Sequence, residues 1–198
     1  MARRRGSGRG NGNSPSGRLR IVAGKWRSRL LKVADVPGLR PTPERIRETL
    51  FNWLAPTIAG ARCLDLFAGS GALGLEALSR GAASAVFVEK SRRAADALRS
   101  ACNELKAADA EVHAADAFEF LRSETSVQYD LVFLDPPYAD ESIPELCRLL
   151  AERQWLAAGA VVYFEQGTQQ PPPDLPAGWS ITHQKSAGQV RYSLAGTG

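Results

Sequence analysis

Apolar residues come in short bursts, and each burst stops at glycine, proline or charge. Cys63, Leu64, Leu66 and Phe67 form one run, which ends at a glycine-rich turn. Leu73, Leu75, Ala77 and Leu78 then follow at helical spacing, so 61–79 predicts strand, tight loop and helix. Ser84-Ala-Val-Phe-Val-Glu89 predicts a second strand ending in an acid, 91–107 a helix and Glu111–Ala114 a short strand. Leu131–Leu134 is continuously apolar, the pattern of a strand buried on both faces of a parallel sheet. An amphipathic helix over 140–154 follows, then a fifth strand within Leu156–Phe164 with a turn at Ala158-Gly159. Gln169–Pro176 reads as a loop. The segments from Trp179 and from Gln189 predict an antiparallel hairpin at the sheet edge. The alternation of strand and helix is that of an α/β domain.

The N-terminal part is patterned differently. Arg18–Gly24 and Arg27–Val33 partly alternate basic and apolar residues around Gly24-Lys25-Trp26. They predict a β-hairpin with one apolar face and one presenting Arg and Lys. Trp26 has two equal readings, stacking on a base or capping the small core. Beyond it, Thr42 is placed to cap a helix and Pro43 to be its first residue. Ile46, Leu50, Trp53 and Leu54 form the packed stripe, with Arg45 and Glu48 off it. The loop Arg40-Pro-Thr42 enters this helix and is either a lid over a ligand or part of a cover on the sheet edge. Apart from Met1 and Ala2, residues 1–17 are Arg, Gly, Ser, Asn and Pro, a composition expected to be disordered. The expected organisation is therefore a tail (1–17), a basic hairpin with its lid loop (18–41) and one larger α/β domain (42–198).

Charge sharpens this division. The 198 residues carry a net charge of +4. Residues 1–60 hold 13 of the 25 Lys and Arg but only 3 of the 21 Asp and Glu, a net +10; the remainder is −6. That polarity predicts a polyanion at the N-terminal end. No apolar run approaches the ~20 residues of a membrane span, and the Arg-rich start has no apolar segment of a secretory signal. Cys63, Cys102 and Cys147 are odd in number and scattered, against a disulfide framework or a metal site and for a reducing, cytoplasmic setting.

Two stretches carry chemistry. Gly69, Gly71 and Gly74 have GxGxxG spacing, which serves close ligand approach or merely close helix–strand packing. Asp65 precedes them. A carboxylate there repels a pyrophosphate and suits an ammonium group, as in the amino-acid moiety of S-adenosylmethionine. Glu89 lies 24 residues after Asp65, near the ~20-residue offset at which an acid binds ribose hydroxyls. Asp116 has two readings, a partner for an adenine amino group or a helix N-cap. The second stretch is Asp135-Pro136-Pro137-Tyr138 at a strand end. A carboxylate, a carbonyl and a ring can converge there on an exocyclic amino group and its base. His113 has no triad around it and reads as structural.

These motifs, in this order, resemble class I S-adenosylmethionine-dependent methyltransferases. Asp-Pro-Pro-Tyr matches the motif of enzymes that methylate exocyclic amino nitrogens of bases. Arg20-Ile-Val-Ala-Gly-Lys-Trp-Arg, Leu39-Arg-Pro-Thr, Arg47-Glu-Thr-Leu-Phe-Asn-Trp-Leu, Phe67-Ala-Gly-Ser-Gly-Ala-Leu-Gly-Leu-Glu-Ala-Leu-Ser-Arg and Gly188-Gln-Val-Arg-Tyr resemble the bacterial 16S rRNA guanine-N2 methyltransferases of the D type. The resemblance spans 18–194.

It implies a Rossmann-like, mostly parallel seven-stranded sheet with an antiparallel C-terminal hairpin, plus the N-terminal β-hairpin. It implies methyl transfer to guanine N2 of 16S rRNA, guanine 966, in the small ribosomal subunit or an assembly intermediate, by a monomer. S-Adenosylmethionine would be held by Asp65, Phe67, Ala68, Gly69, Ser70 and Gly71, by Glu89 and Lys90, by Asp116 and Ala117, and by Asp135. Asp135, Pro136, Pro137 and Tyr138 would act on the base, and S-adenosylhomocysteine would leave. RNA would meet Arg20, Lys25, Trp26, Arg27 and Arg29, then Arg40, Thr42 and Arg45. No metal is expected. Adenine-N6 or cytosine-N4 methylation shares the amino-group motif, so guanine rests on the resemblance alone. An NAD-dependent oxidoreductase and a non-catalytic RNA-binding module are the rivals from other classes.

Overall fold

The computed structural model describes residues 17–36, 41–123, 125, 127–137 and 142–198. The expectations for the tail before Gly17, for Arg40 and for Tyr138 lie outside them. A two-stranded hairpin, β1 (Arg18–Arg20) and β2 (Leu30–Lys32), precedes α1 (Glu44–Trp53). Strand and helix then alternate through β3 (Arg62–Asp65), α2 (Ala72–Ser79), β4 (Ser84–Val88), α3 (Arg92–Leu105), β5 (Ala110–His113), α4 (Ala117–Arg122), β6 (Tyr129–Leu134), α5 (Ile143–Glu152) and β7 (Leu156–Gly167). The chain closes with β8 (Ser180–Ala187) and β9 (Val190–Gly196).

The main sheet has seven strands in the order β5-β4-β3-β6-β7-β9-β8. The first five are parallel, and β9 runs antiparallel to both β7 and β8. This is the expected Rossmann-like sheet with its C-terminal hairpin. The chain lays strands outward from β3 in one direction and then returns to place β6 on its other side. Ligands of such sheets bind outside the carboxyl ends of the strands at this reversal. Asp65 ends β3, and Asp135 follows the last residue of β6.

Both faces of the sheet are covered at β6, as its continuous apolar run requires. Leu131 and Phe133 join the core under α1, α2 and α3, with Leu50, Leu75 and Leu98. Val132 and Leu134 point the other way, into the core with Leu121 of α4 and Leu146 of α5. The period of two sends alternate residues to opposite layers.

In the hairpin Leu19 and Leu31 are buried while Arg18, Arg20 and Lys32 stay exposed, so the expected apolar and basic faces are present. The segment linking its strands is tied to α2. Lys25 N–H donates to the Ser79 carbonyl at 2.7 Å. Gly24 is what permits this approach. Its φ is +83°, and a Cβ there would lie 1.8 Å from the Ser79 carbonyl oxygen.

Two local expectations are corrected. Thr42 does not cap α1. The cap position is Pro43, which has no side-chain donor or acceptor to offer, and the helix starts at Glu44. The turn expected at Ala158-Gly159 is a bulge inside one continuous strand. Tyr129 pairs with Leu156 but Leu131 pairs with Val161, and Gly159 absorbs the extra residues at φ +70°.

Candidate functional site

Asp65 is 2% exposed, and its Oδ2 accepts the Gly74 N–H at 3.1 Å. Gly74 lies in the first turn of α2, so this carboxylate occupies the helix N-terminus that a phosphate would otherwise use. Burial pushes the Asp65 carboxyl up to about 7, and the charge of Glu89 adds to this; the N–H groups of Gly74 and Phe67 act against it. A buried acid in this state has an unmet demand for a cation. An ammonium ligand answers that demand, whereas the pyrophosphate of a dinucleotide meets a seated carboxylate. The residues therefore fit the amino-acid end of S-adenosylmethionine and disfavour the oxidoreductase reading.

The glycines divide their work. A Cβ on Gly71 would come 2.4 Å from Leu98 Cδ1, and one on Gly74 would come 2.2 Å from Phe87 Cε1. These two allow α2 to close onto α3 and β4, the packing alternative left open by the spacing. Gly69 instead donates its N–H to Glu89 Oε2 at 2.9 Å. Glu89 Oε1 accepts the Ser91 N–H at 2.7 Å. Glu89 thus fixes the glycine loop to the end of β4. Phe67 and Ser70 are half-buried in this loop, and Ala68 is buried, its N–H bonded to the Val88 carbonyl at 3.0 Å.

Asp116 is the N-cap of α4: its Oδ1 accepts the Phe118 and Glu119 N–H groups at 2.9 and 3.3 Å. Its Oδ2 faces Lys90 Nζ at 3.1 Å. Burial raises this carboxyl, but the bonds from Lys90, Glu119 and Phe118 outweigh it and hold Asp116 below the usual carboxylate range. Ala117 is the buried first residue of that helix. His113 pairs with Glu111 at 2.9 Å and packs on Phe120, and its carbonyl accepts the Glu89 N–H at 3.0 Å.

Asp135 stands across the strand reversal from Asp65. The neighbouring strand β7 brings in Glu165, since Leu134 pairs with Phe164 one residue earlier. Burial raises the Asp135 carboxyl well above its ordinary value, and the charges of Glu165 and Asp65 raise it further. The Thr42 side chain acts in the opposite direction. Pro136 is buried and Pro137 exposed. Glu165 Oε1 accepts the Tyr163 hydroxyl at 2.7 Å, and both residues are buried.

Sequence reasoning missed this arm of the site, because Tyr163 and Glu165 sit in an apolar strand with no motif. It also missed the buried pair Arg47–Glu76 at 3.1 Å, with side chains 1% and 0% exposed. Glu76 accepts the Val22 and Ala23 N–H groups at 2.8 and 3.0 Å and Arg80 Nε at 2.8 Å. Arg47 donates to the carbonyls of Arg20 and Thr42 at 2.8 and 3.1 Å. This cluster joins the hairpin, α1 and α2. Two signals marked it: Glu76 interrupts an otherwise apolar helix, and Arg47 lies on the Leu50–Leu54 face of α1.

Of the residues expected to meet RNA, Arg20, Lys25, Arg27, Arg29 and Arg45 are exposed. Arg20 lies 3.7 Å from Glu44 and Arg29 3.2 Å from Glu104, both pairs at the surface. Trp26 is half-buried against the core under the hairpin, with Lys25 Nζ 4.3 Å from its ring centroid. Its capping reading is thus present in the fold. Thr42 does not share this surface; it is 7% exposed and its carbonyl accepts Arg47 Nε.

Comparison with known proteins follows the same lines. A family profile described as conserved hypothetical protein 95 matches residues 19–196. Ribosomal RNA small subunit methyltransferase D of Escherichia coli is 48% identical over 92% of this chain and 91% of its own. A solved Escherichia coli structure, provisionally named the methyltransferase yhhF, is 44% identical over 91% of this chain and 98% of that one, with a TM-score of 0.85. An RNA methyltransferase from Salinibacter ruber, solved with S-adenosyl-L-homocysteine, shares the fold at a TM-score of 0.61 and 18% identity, over 80% of this chain and 94% of that one.

Proposed function

The chain belongs to the ribosomal RNA small subunit methyltransferase D family, and from that premise we propose that it methylates the exocyclic N2 of a guanine in 16S rRNA. Its family target, guanine 966, is the position we assign. The observation that carries the reading is the pair Asp65 and Asp135 at the ends of adjacent strands. One acid is buried and suited to an ammonium ligand; the other begins the amino-group motif Asp135-Pro136-Pro137-Tyr138.

S-Adenosylmethionine supplies an electrophilic methyl group when bound. Asp65 would hold its ammonium group, Glu89 its ribose hydroxyls and Asp116 with Lys90 the adenine end. The loop 67–71 and Ala117 would line this seat. The guanine amino group is a weak nucleophile, because its lone pair is delocalised into the ring. Asp135 and the Pro136 carbonyl would accept its two hydrogens, which localises the lone pair on nitrogen and aims it. Pro137 stiffens the turn, and Tyr138 stacks on the extruded base, worth ~1–3 kcal/mol. Much of the acceleration is positional. The methylated nitrogen must lose a proton, and Asp135, with its proton affinity raised by burial, is a suitable acceptor.

The exposed cations Arg20, Lys25, Arg27, Arg29 and Arg45, together with Arg40, would bind RNA phosphates. Residues 18–41 form the RNA-contacting unit and 42–198 the transferase domain, acting as a monomer on the small subunit or its assembly intermediate in the cytoplasm. Among the described residues no helix is long and apolar enough to cross a membrane.

Incubation with tritiated S-adenosylmethionine and either small subunits or naked 16S rRNA from cells lacking the enzyme tests this. Label in N2-methylguanosine is expected. Label in N6-methyladenosine or N4-methylcytidine would keep the chemistry and overturn the base; no label in either RNA would overturn the substrate.

A further inference from the structure

We propose that Glu165 selects guanine among the amino-bearing bases, by accepting the ring N1–H that lies beside the guanine amino group. This rests on the guanine reading and on the seat given to the amino group above. The starting point is the end of β7. Leu134 of β6 pairs in parallel register with Phe164 of β7, so Asp135 and Glu165 leave the ladder side by side. Neighbouring strands lie about 4.8 Å apart. Alternate residues face opposite layers, which puts Asp135 and Glu165 on the face of Phe133 and Tyr163. Those two rings meet edge to face, with 6.2 Å between centroids. On the other side of Glu165 its cross-strand partner is Tyr192 of β9, which stacks on Trp53 of α1 at 5.4 Å. Glu165 therefore stands between the Asp135 strand and an aromatic wall.

The methyl-transfer step as derived gives this acid no part, although it is only 2% exposed. It follows the run Val161-Val162-Tyr163-Phe164, and a carboxylate placed there is costly unless it is hydrogen-bonded. The Tyr163 hydroxyl donates to its Oε1 at 2.7 Å. That bond sets the plane of the carboxylate and presents it as an acceptor. A carboxylate accepts at several lone-pair sites, and the tyrosine takes one.

The amino-bearing bases differ at the ring atom beside the amino group. In guanine that neighbour, N1, carries a hydrogen. In adenine the neighbouring N1 is bare, and in cytosine the neighbouring N3 is bare. With the amino group on Asp135 and the Pro136 carbonyl, the next acceptor along the sheet edge is Glu165. It meets the guanine N1–H with a charge-assisted hydrogen bond. On adenine or cytosine it meets a lone pair, acceptor against acceptor. A buried group built to take a hydrogen bond rejects the analogue that lacks the hydrogen. The motif from Asp135 to Tyr138 reads an amino group, and β7 supplies the reading of the ring beside it.

The probe is 16S rRNA, naked or reconstituted into small subunits, with 2-aminopurine in place of the target guanine. That base keeps the amino group and has a bare N1. The wild-type protein is expected to methylate guanine about ten- to a hundredfold faster than 2-aminopurine in kcat/KM. Glu165→Gln keeps the side-chain shape and can accept the Tyr163 hydroxyl through its amide oxygen, which turns an NH2 toward the base. It is expected to lose guanine methylation about tenfold or more while 2-aminopurine is methylated as before or faster, so the preference is lost. The missing O6 of 2-aminopurine is common to both proteins and cancels in this comparison. S-Adenosylhomocysteine binding within severalfold of wild type shows that the variant is folded. A purely structural role for Glu165 lowers both rates in parallel and leaves the preference intact, and that result overturns the proposal. So do equal wild-type rates on the two bases. If Glu165→Gln does not fold, Tyr163→Phe takes its place: it keeps the ring packing and releases the carboxylate plane. Its preference is expected to fall severalfold, and an unchanged preference there overturns the proposal. Guanine methylated without preference leaves the function proposed above standing, whereas no transfer to guanine by the wild type overturns that function and this inference with it.

Discussion

The Gly74 N–H meets Asp65 Oδ2 at 3.1 Å, so the helix behind the glycine loop is capped by the acid that ends the first strand of the sheet. Burial holds that acid at about 7. A cationic ligand binds the ionised form, so S-adenosylmethionine affinity is expected to fall as pH drops below 7 and to level off above it. Asp65→Asn should weaken binding about ten- to a hundredfold and flatten that dependence. Calorimetric titration with S-adenosylhomocysteine from pH 6 to 8.5 checks both, and a wild-type affinity independent of pH would contradict the assignment.

The same acid makes a stability prediction with a definite sign. Its folded value, about 7, lies above the ordinary 3.8. Between these values the unfolded chain ionises first and the folded chain keeps its proton, so this group's contribution becomes less favourable as pH rises. The loss is complete above 7. Asp65→Asn should therefore gain melting temperature relative to wild type from pH 4 to 7, with a constant difference beyond. Asp116 and Asp130, both held below the ordinary value, act in the opposite direction at lower pH. They are common to both proteins and cancel in the comparison.

Asp135→Ala is expected to abolish turnover and to leave S-adenosylhomocysteine binding within severalfold of wild type. Single-turnover rates and a binding titration on the same preparation separate the two. Full activity in this variant would remove Asp135 from the chemistry.

The Arg47–Glu76 pair is buried with four further hydrogen bonds on the two carboxylate oxygens and the guanidinium counted from the hairpin and Arg80 alone. Removing one partner leaves a buried charge, so Arg47→Met and Glu76→Gln should each cost ~3–5 kcal/mol. The double variant should cost clearly less than their sum, because neither charge is then stranded. Urea unfolding of the four proteins measures the coupling; strict additivity would mean the two groups act independently.

Gly24→Ala tests the docking of the hairpin alone. Its Cβ would strike the Ser79 carbonyl, and φ of +83° strains any side chain. RNA affinity is expected to drop several-fold while S-adenosylhomocysteine binding is kept. Filter binding and calorimetry on the same protein distinguish this from general unfolding.

Much of the fold could be read from one dimension, because local chemistry decides it. The period of two in β6, the glycine turn after Asp65 and the proline pair after Asp135 each act on neighbours in the chain. They placed strands, loop and both acids at the strand ends. Sequence alone determined that a carboxylate ends β3, another follows β4 and a third follows β6. What those acids are bonded to was decided by tertiary structure. Gly71 and Gly74 serve packing because Leu98 and Phe87 lie against them, and nothing within the loop reveals that. Thr42 looked like a cap, since a helix start is visible locally, but its burial and the arginine that takes its carbonyl are set by tertiary packing. Glu165 entered the site through the pairing of β6 with β7, and Arg47 is buried against Glu76 of α2. Desolvation, which sets the charge state of Asp65 and Asp135, depends on every layer packed around them and so exists only in the folded chain.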